Sequence, residues 1–176
     1  ALGLGYRNIL TMDGNGKDGA DGINRIVEAL EAGSGFVQGS RFVPGGKAVN
    51  TPTSRTLGIR LLHAPITSAA ARARLTDTTN GFRGHSRKFL LDPRVDPFRE
   101  VFDTYELLAY LPIRAGQLNY QVDEVPVTRS YPDDGTVPTK IHGFSGNKAL
   151  LTILLRAARG KYAPTQAEVE FAKSRS

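Results

Sequence analysis

The spacing of apolar residues along the chain switches between a strand-like and a helix-like pattern, and the switches outline a fold. NILTMD (residues 8–13) is a short apolar run ending on an acid, the pattern of a buried strand that delivers Asp13 to its end. GNGKDGADG follows as a loop. In INRIVEALEAG, Ile23, Ile26, Val27 and Leu30 recur at helical spacing and form one apolar stripe, with Asp21 the expected cap and Gly33 the expected stop. GFVQGSRFV reads as a second strand. Strand, helix and strand at these separations predict a βαβ unit and an α/β fold.

Beyond this unit, PGGKAVNTPTSR reads as loop, and TLGIRLLHAPITSAAARARL as a helix interrupted or ended near Pro65. RKFLLDPRV is a short helix and turn, and VFDTYELLAYLPIRAG a helix with Gly116 at its end. LNYQVDEVPVTRSY is a β segment whose alternation changes phase at Asp123–Glu124, which predicts a bulge there. PDDGTVPTKIHGFSG is a long loop, and NKALLTILLRAARGKY a final helix. That last helix is apolar over much of its surface and ends in cations. It is expected to pack on the domain, lie against a membrane or mediate self-association.

Composition narrows the classes. The 176 residues suffice for one domain with a sizeable core, or one domain plus a tail. Cysteine is absent, so disulfides and thiolate metal sites are excluded, and the three histidines have no zinc-ligand spacing. No apolar run approaches the roughly 20 residues of a transmembrane helix. The opening ALGLGYRNIL has no basic leader before an apolar region and begins inside an element, which suggests a chain that is part of a longer one. The net charge is +6; from Asn147 onward six basic residues face two acidic ones, so the tail holds +4 of it and the body +2. A basic tail keeps a protein soluble, or attracts anionic lipid or nucleic acid.

The densest chemistry lies in TDTTNGFR (residues 76–83), where Asp77, Thr79, Asn80 and Arg83 crowd one bend. In an open α/β sheet, ligands gather at the carboxyl ends of strands. Asp13 and Arg41 are predicted at such ends, and an acid there followed by glycines suits a divalent cation and a phosphate. Arg41 and Arg55 flank a loop that can fold back, and arginine grips phosphate with a fork. Lys140 sits in another loop. The plainer readings are a loop-capping Asp13 and solvated surface arginines.

In this order TMDGNGKDG, INRIVEAL, GFVQGSRFVPGG, TDTTNGFRGHSRKFL and YELLAYLPIRAGQLNYQVDEVPVTRSYP resemble the family-2 glycosyltransferases, in particular the polyprenyl-phosphate branch. The resemblance runs from about Ile9 to about Lys140. It implies a GT-A-like fold, a Rossmann-related mixed sheet flanked by helices, here N-terminally truncated. Residues 1–145 would be the C-terminal portion of the catalytic domain and 146–176 a basic helix and tail. The implied activity is an inverting transfer of a sugar from a nucleotide diphosphate to a lipid phosphate or a saccharide hydroxyl, in the cytoplasm or at the inner face of the membrane. Asp13 would stand at the first acid of a metal motif binding Mg²⁺ or Mn²⁺. Arg41, Arg55 and Lys140 would hold phosphate. Asp77 would act as base, with Thr79, Asn80 and Arg83 on the acceptor side.

Two departures qualify the resemblance. The second metal acid is Asn15, which keeps an oxygen but brings no charge, and Lys17 offers itself as a substitute for metal charge. The nucleotide-binding half that family members carry before this loop is missing, so this stretch alone is expected to be inactive. Removing Arg41 is expected to harm turnover more than folding. The competing class is a non-catalytic basic module for nucleic acid or an anionic polymer. The nearly neutral body and the lack of a basic–aromatic stacking pattern speak against it, and no nucleic-acid partner is expected. A nucleotidyltransferase would share the acid loop but not the TNGFR segment.

Overall fold

The computed structural model describes residues 1–132 and 143–174. A short turn at Leu2–Leu4 leads into β1 (Asn8–Thr11), α1 (Gly22–Glu31) and β2 (Phe36–Ser40). There follow β3 (Lys47–Val49), α2 (Thr53–Gly58), α3 (Ala64–Ala71), β4 (Arg83–Ser86) and α4 (Arg87–Leu90). The remainder is α5 (Glu106–Gln117), β5 (Val122–Pro126), β6 (Thr128–Ser130), α6 (Gly143–Ala158) and α7 (Gln166–Lys173). This is the mixed α/β architecture expected, a mixed sheet flanked by helices and consistent with a GT-A-like fold.

The main sheet has the order β1-β4-β2-β5. Strand β4 runs antiparallel to both neighbours, and β5 parallel to β2. The βαβ unit is therefore present, but with β4 inserted between its two strands. β2 is buried along its whole length, and its alternation feeds two cores. Phe36 packs with Phe89, Tyr110, Leu111, Ile113 and Leu154 on the face covered by α4, α5 and α6. Val37 packs with Ile26, Leu30, Phe82 and Val127 on the face covered by α1. Burying one such side chain is worth about 1.5–3 kcal/mol, so β2 carries much of the fold's stability.

Several expectations are corrected. β4 reads as RGHS, with no β-branched residue, and was not foreseen. It forms because it is central and buried, so packing rather than propensity decides. The 41–52 stretch contains β3, a short exposed strand paired with β6. The break in LNYQVDEVPVTRSY falls at Val127, where the chain leaves the main sheet for the two-stranded one, not at Asp123–Glu124. Asp21 makes no cap hydrogen bond and instead pairs with Arg25. Gly33 does end α1, in a left-handed conformation. The disturbance before Pro65 is a π-helical turn at Ile59–His63 joining α2 to α3.

Gly116 does not end α5, which continues to Gln117 with Asn119 left-handed beyond it. Its glycine is required because a Cβ would overlap the Ala71 carbonyl oxygen where α3 crosses. The final helix α6 packs through Leu154 and Ala157 into the larger core. After it, α7 was missed although TQAE spells a capping box: the Glu168 amide donates to the Thr165 hydroxyl, and the Thr165 amide donates to the Glu168 carboxylate. No helix among the described residues is long and apolar enough to cross a membrane.

Candidate functional site

The carboxyl ends of β1, β2 and β5 and the segment entering β4 lie at one end of the main sheet, as the pairings Thr11↔Arg83, Gln38↔Arg83 and Ser40↔Pro126 require. Asp13 follows β1 and Arg41 follows β2, so both emerge there. The acid loop is then stitched to β6: Gly19 donates to the Thr128 carbonyl and Ser130 donates to the Lys17 carbonyl. Arg129 and Tyr131 are carried to the same place.

Arg41 and Asp77 meet as a forked ion pair. Nε donates to Oδ2 at 2.7 Å, Nη2 to Oδ1 at 2.8 Å, and the Arg41 amide to Oδ2 at 3.1 Å. Their side chains are 1% and 0% exposed. Burial and the carboxylate act on Arg41 in opposite senses, and the net effect raises its pKa, so it stays charged. Asp77 is in turn held by Glu124 on β5. The Glu124 carboxylate accepts from the Thr76 amide (2.8 Å), the Thr76 hydroxyl (2.8 Å) and the Asp77 amide (3.2 Å). The Ser40 and Thr76 hydroxyls lie 2.7 Å apart and complete the seam.

A second cluster centres on Arg129. Its Nη1 donates to both Asp18 oxygens (2.7 and 2.6 Å) and to Asn80 Oδ1 (3.0 Å), and its Nη2 donates to Asp13 Oδ2 at 2.8 Å. The Asp18 side chain is fully buried, whereas the Asp13 side chain is 40% exposed. Burial pushes the Asp18 carboxyl up despite the guanidinium beside it. Beside this cluster, the Tyr131 ring lies between two cations, with Lys17 Nζ 4.8 Å and Arg55 Cζ 5.9 Å from its centroid. Burial lowers the Lys17 pKa, with Arg129 and Arg55 adding to the effect.

The bend TDTTNGFR is thus resolved residue by residue. Asn80 is buried and ties strands together: its Nδ2 donates to the Gly39 carbonyl, and its Oδ1 accepts from the Phe82 amide as well as from Arg129. Arg83 turns inward. Its three donor groups are spent on the carbonyls of Asn80, Leu108 and Thr78, so it braces the bend from behind and does not face an acceptor. Burial lowers its pKa to about 10. Gly81 has no positive φ; a Cβ there would meet Asp13 Oδ1, so a larger residue would shift the Asp13 carboxylate. Phe82 anchors the bend in the α1-side core. Buried polar atoms without a partner remain around the bend: Arg41 Nη1 and the hydroxyls of Thr78 and Thr79.

Asp13, Arg41, Asn80 and Asp77 therefore come together, with Arg55 joined through Tyr131. Lys140 lies outside the described residues. Sequence reasoning missed Asp18, Glu124, Arg129 and Tyr131 as site residues. An acid five positions after Asp13 and a charged residue inside the VPVTRSY alternation were the available signals. As arranged, the acid loop is not a cation cage. Asn15 turns its amide nitrogen toward Asp13 Oδ2 at 3.5 Å, Asp18 is occupied by Arg129, and no three His, Cys, Asp or Glu side chains converge among the described residues.

The fold and site define an α/β protein with an acid- and arginine-lined cluster at one sheet end. No family model matches the chain. It is 32% identical over 133 residues to the undecaprenyl-phosphate mannosyltransferase of Micrococcus luteus, covering 72% of this chain and 51% of that protein. It is 26% identical over 160 residues to the polyprenol monophosphomannose synthase of Mycolicibacterium smegmatis, covering 91% of this chain and 58% of that one. The resemblance to polyprenyl-phosphate glycosyltransferases is therefore shared with named relatives. The chain spans about half the length of the curated relatives it matches.

Proposed function

We propose that the full-length protein is an inverting glycosyltransferase moving a sugar from a nucleotide diphosphate to a polyprenyl phosphate, with mannose the sugar its relatives' names suggest. The observation that carries this reading is the convergence of Asp13, Arg41, Asn80 and Asp77 at one sheet end, with Lys17 and Arg55 alongside. A diphosphate leaving group gains charge as the glycosidic bond breaks, and fixed cations stabilise it. One such contact is typically worth about 3–4 kcal/mol. Arg55, with Lys17 beside it on the Tyr131 ring, supplies such contacts, and Arg41 supports them from within the fold.

The state of Asp77 supports a lipid-phosphate acceptor. A saccharide hydroxyl must lose a proton to a carboxylate within reach, but both oxygens of Asp77 are engaged by Arg41 and sealed from solvent. A lipid phosphate is already ionised and needs no base. Asp77 then fixes Arg41 within the fold, and the phosphate oxygen attacks the anomeric carbon on the face opposite the leaving diphosphate. A divalent cation, if the donor brings one, has Asp13 to bind to, and most of its shell would come from the diphosphate and water. The buried, acid-paired state of Arg41 and Arg129 argues against a nucleic-acid face, which needs cations presented to solvent.

The test is transfer from a panel of nucleotide sugars by the full-length protein, offered polyprenyl phosphate or a free oligosaccharide. Sugar is expected on the lipid phosphate alone. Transfer to the oligosaccharide alone would overturn the acceptor assignment, and no transfer from any donor would overturn the reading.

A further inference from the structure

The acid loop carries a cation of its own. The Arg129 guanidinium joins Asp13 to Asp18, 2.8 Å from Asp13 Oδ2 and 2.7 and 2.6 Å from the two oxygens of Asp18. It is fixed there by backbone pairing: Asp18 and Arg129 form a β-bridge, and the adjacent Ser130 amide donates to the Lys17 carbonyl. Asn80 Oδ1 takes the remaining direction of Nη1. The whole Arg129 residue is 5% exposed, so the guanidinium is held among these partners and largely out of solvent.

We infer that Arg129 is the resident counter-ion of Asp13 and Asp18, occupying the place on these carboxylates that a divalent cation would take, so that the free protein does not bind such a cation. Three features support this. Position 15 is an asparagine, so the loop lacks the second acid that would let it hold metal and guanidinium together. Lys17 and Arg55 add positive charge beside the same carboxylates, which opposes a second cation. Pulling Arg129 away would leave a buried guanidinium and a buried Asp18 unpaired, and breaking a buried pair is strongly unfavourable. An arginine suits this post because its planar fork reaches two carboxylates at once. The inference concerns the same loop as the transferase reading but does not depend on turnover.

The experiment titrates the full-length protein with Mn²⁺ alone, following the paramagnetic resonance signal of the free ion. The wild type is expected to leave Mn²⁺ in solution. Arg129→Met removes the guanidinium and is expected to tighten Mn²⁺ binding at least about tenfold, the scale set by removing a unit charge a few ångströms away. Adding Asp13→Asn to that variant should abolish the gain. Should Arg129→Met fail to fold because Asp18 is left bare, Arg129→Gln still offers amide donors without charge and is expected to show the same gain. Stoichiometric Mn²⁺ binding by the wild type overturns the inference, as does the absence of a gain in a folded variant. A protein that behaves as expected here yet transfers no sugar would remove the transferase reading and leave the Arg129 assignment standing.

Discussion

The forked pair between Arg41 and Asp77 sits fully inside the protein, closed by two side-chain bonds of 2.7 and 2.8 Å and by the Arg41 amide. It joins the end of β2 to the bend before β4, and so ties the two segments on which the cluster is built. Arg41 is thus part of the fold, so its loss is expected to harm folding as well as turnover, whereas the sequence alone predicts the larger harm in turnover. Arg41→Met or Asp77→Asn leaves one buried member unpaired and is expected to cost about 3–5 kcal/mol in urea unfolding. Combining Arg41→Met with Asp77→Asn should cost less than the two single changes together. Strict additivity in that cycle would show the pair to be uncoupled.

His85 lies in the core between two aromatic rings, 5.3 Å from Phe36 and 6.5 Å from Phe89 between centroids. Burial, helped by the charge of Arg83, lowers its pKa to about 3. The folded protein therefore holds His85 neutral while the unfolded chain takes up a proton near the usual histidine range. Its contribution is complete above that range and declines as pH falls toward 3, with a slope of up to about 1.4 kcal/mol per pH unit. His85→Phe should flatten this part of the acid dependence when unfolding free energies are compared between pH 7.5 and 4.5. An unchanged slope would mean that the imidazole is not kept neutral.

Glu124 predicts the opposite sign. Burial raises its pKa although three hydrogen bonds from Thr76 and Asp77 favour the ionised form. The folded state then binds its proton more tightly than the unfolded chain, so this residue's contribution is greatest below the ordinary glutamate range and shrinks as pH rises through the raised one. Glu124→Gln keeps two acceptor bonds and should gain stability relative to wild type as pH increases. Glu124→Ala loses all three and is expected to cost about 1–3 kcal/mol below the ordinary glutamate range, and less as pH rises. Parallel stability–pH curves for wild type and Glu124→Gln would refute the assignment.

How much of this was legible in the sequence depends on what each residue answers to. Periodicity revealed α1 and β2, because their apolar residues face cores across the sheet at regular spacing. It could not reveal β4, whose RGHS carries no strand signal and is held by its two neighbours. Asp13, Arg41 and Asp77 stood out as charges at turns and strand ends. Arg129 and Glu124 did not, because each sits inside a strand, and only the pairing of distant segments shows that Glu124 reaches Thr76 and that Arg129 reaches Asp13. Arg83 was visible but ambiguous. Its inward turn depends on the Leu108 carbonyl, a partner supplied by α5.

The most direct test of the central claim is calorimetric binding of a nucleoside diphosphate to the full-length protein, comparing wild type with Arg55→Ala and with Arg94→Ala, whose half-exposed side chain pairs with Asp92 away from the cluster. The account predicts saturable binding by wild type and by Arg94→Ala. Arg55→Ala should weaken it at least about tenfold, as loss of one charge contact implies, without a change in melting temperature. Equal affinity in all three proteins, or no binding to the wild type, would contradict it.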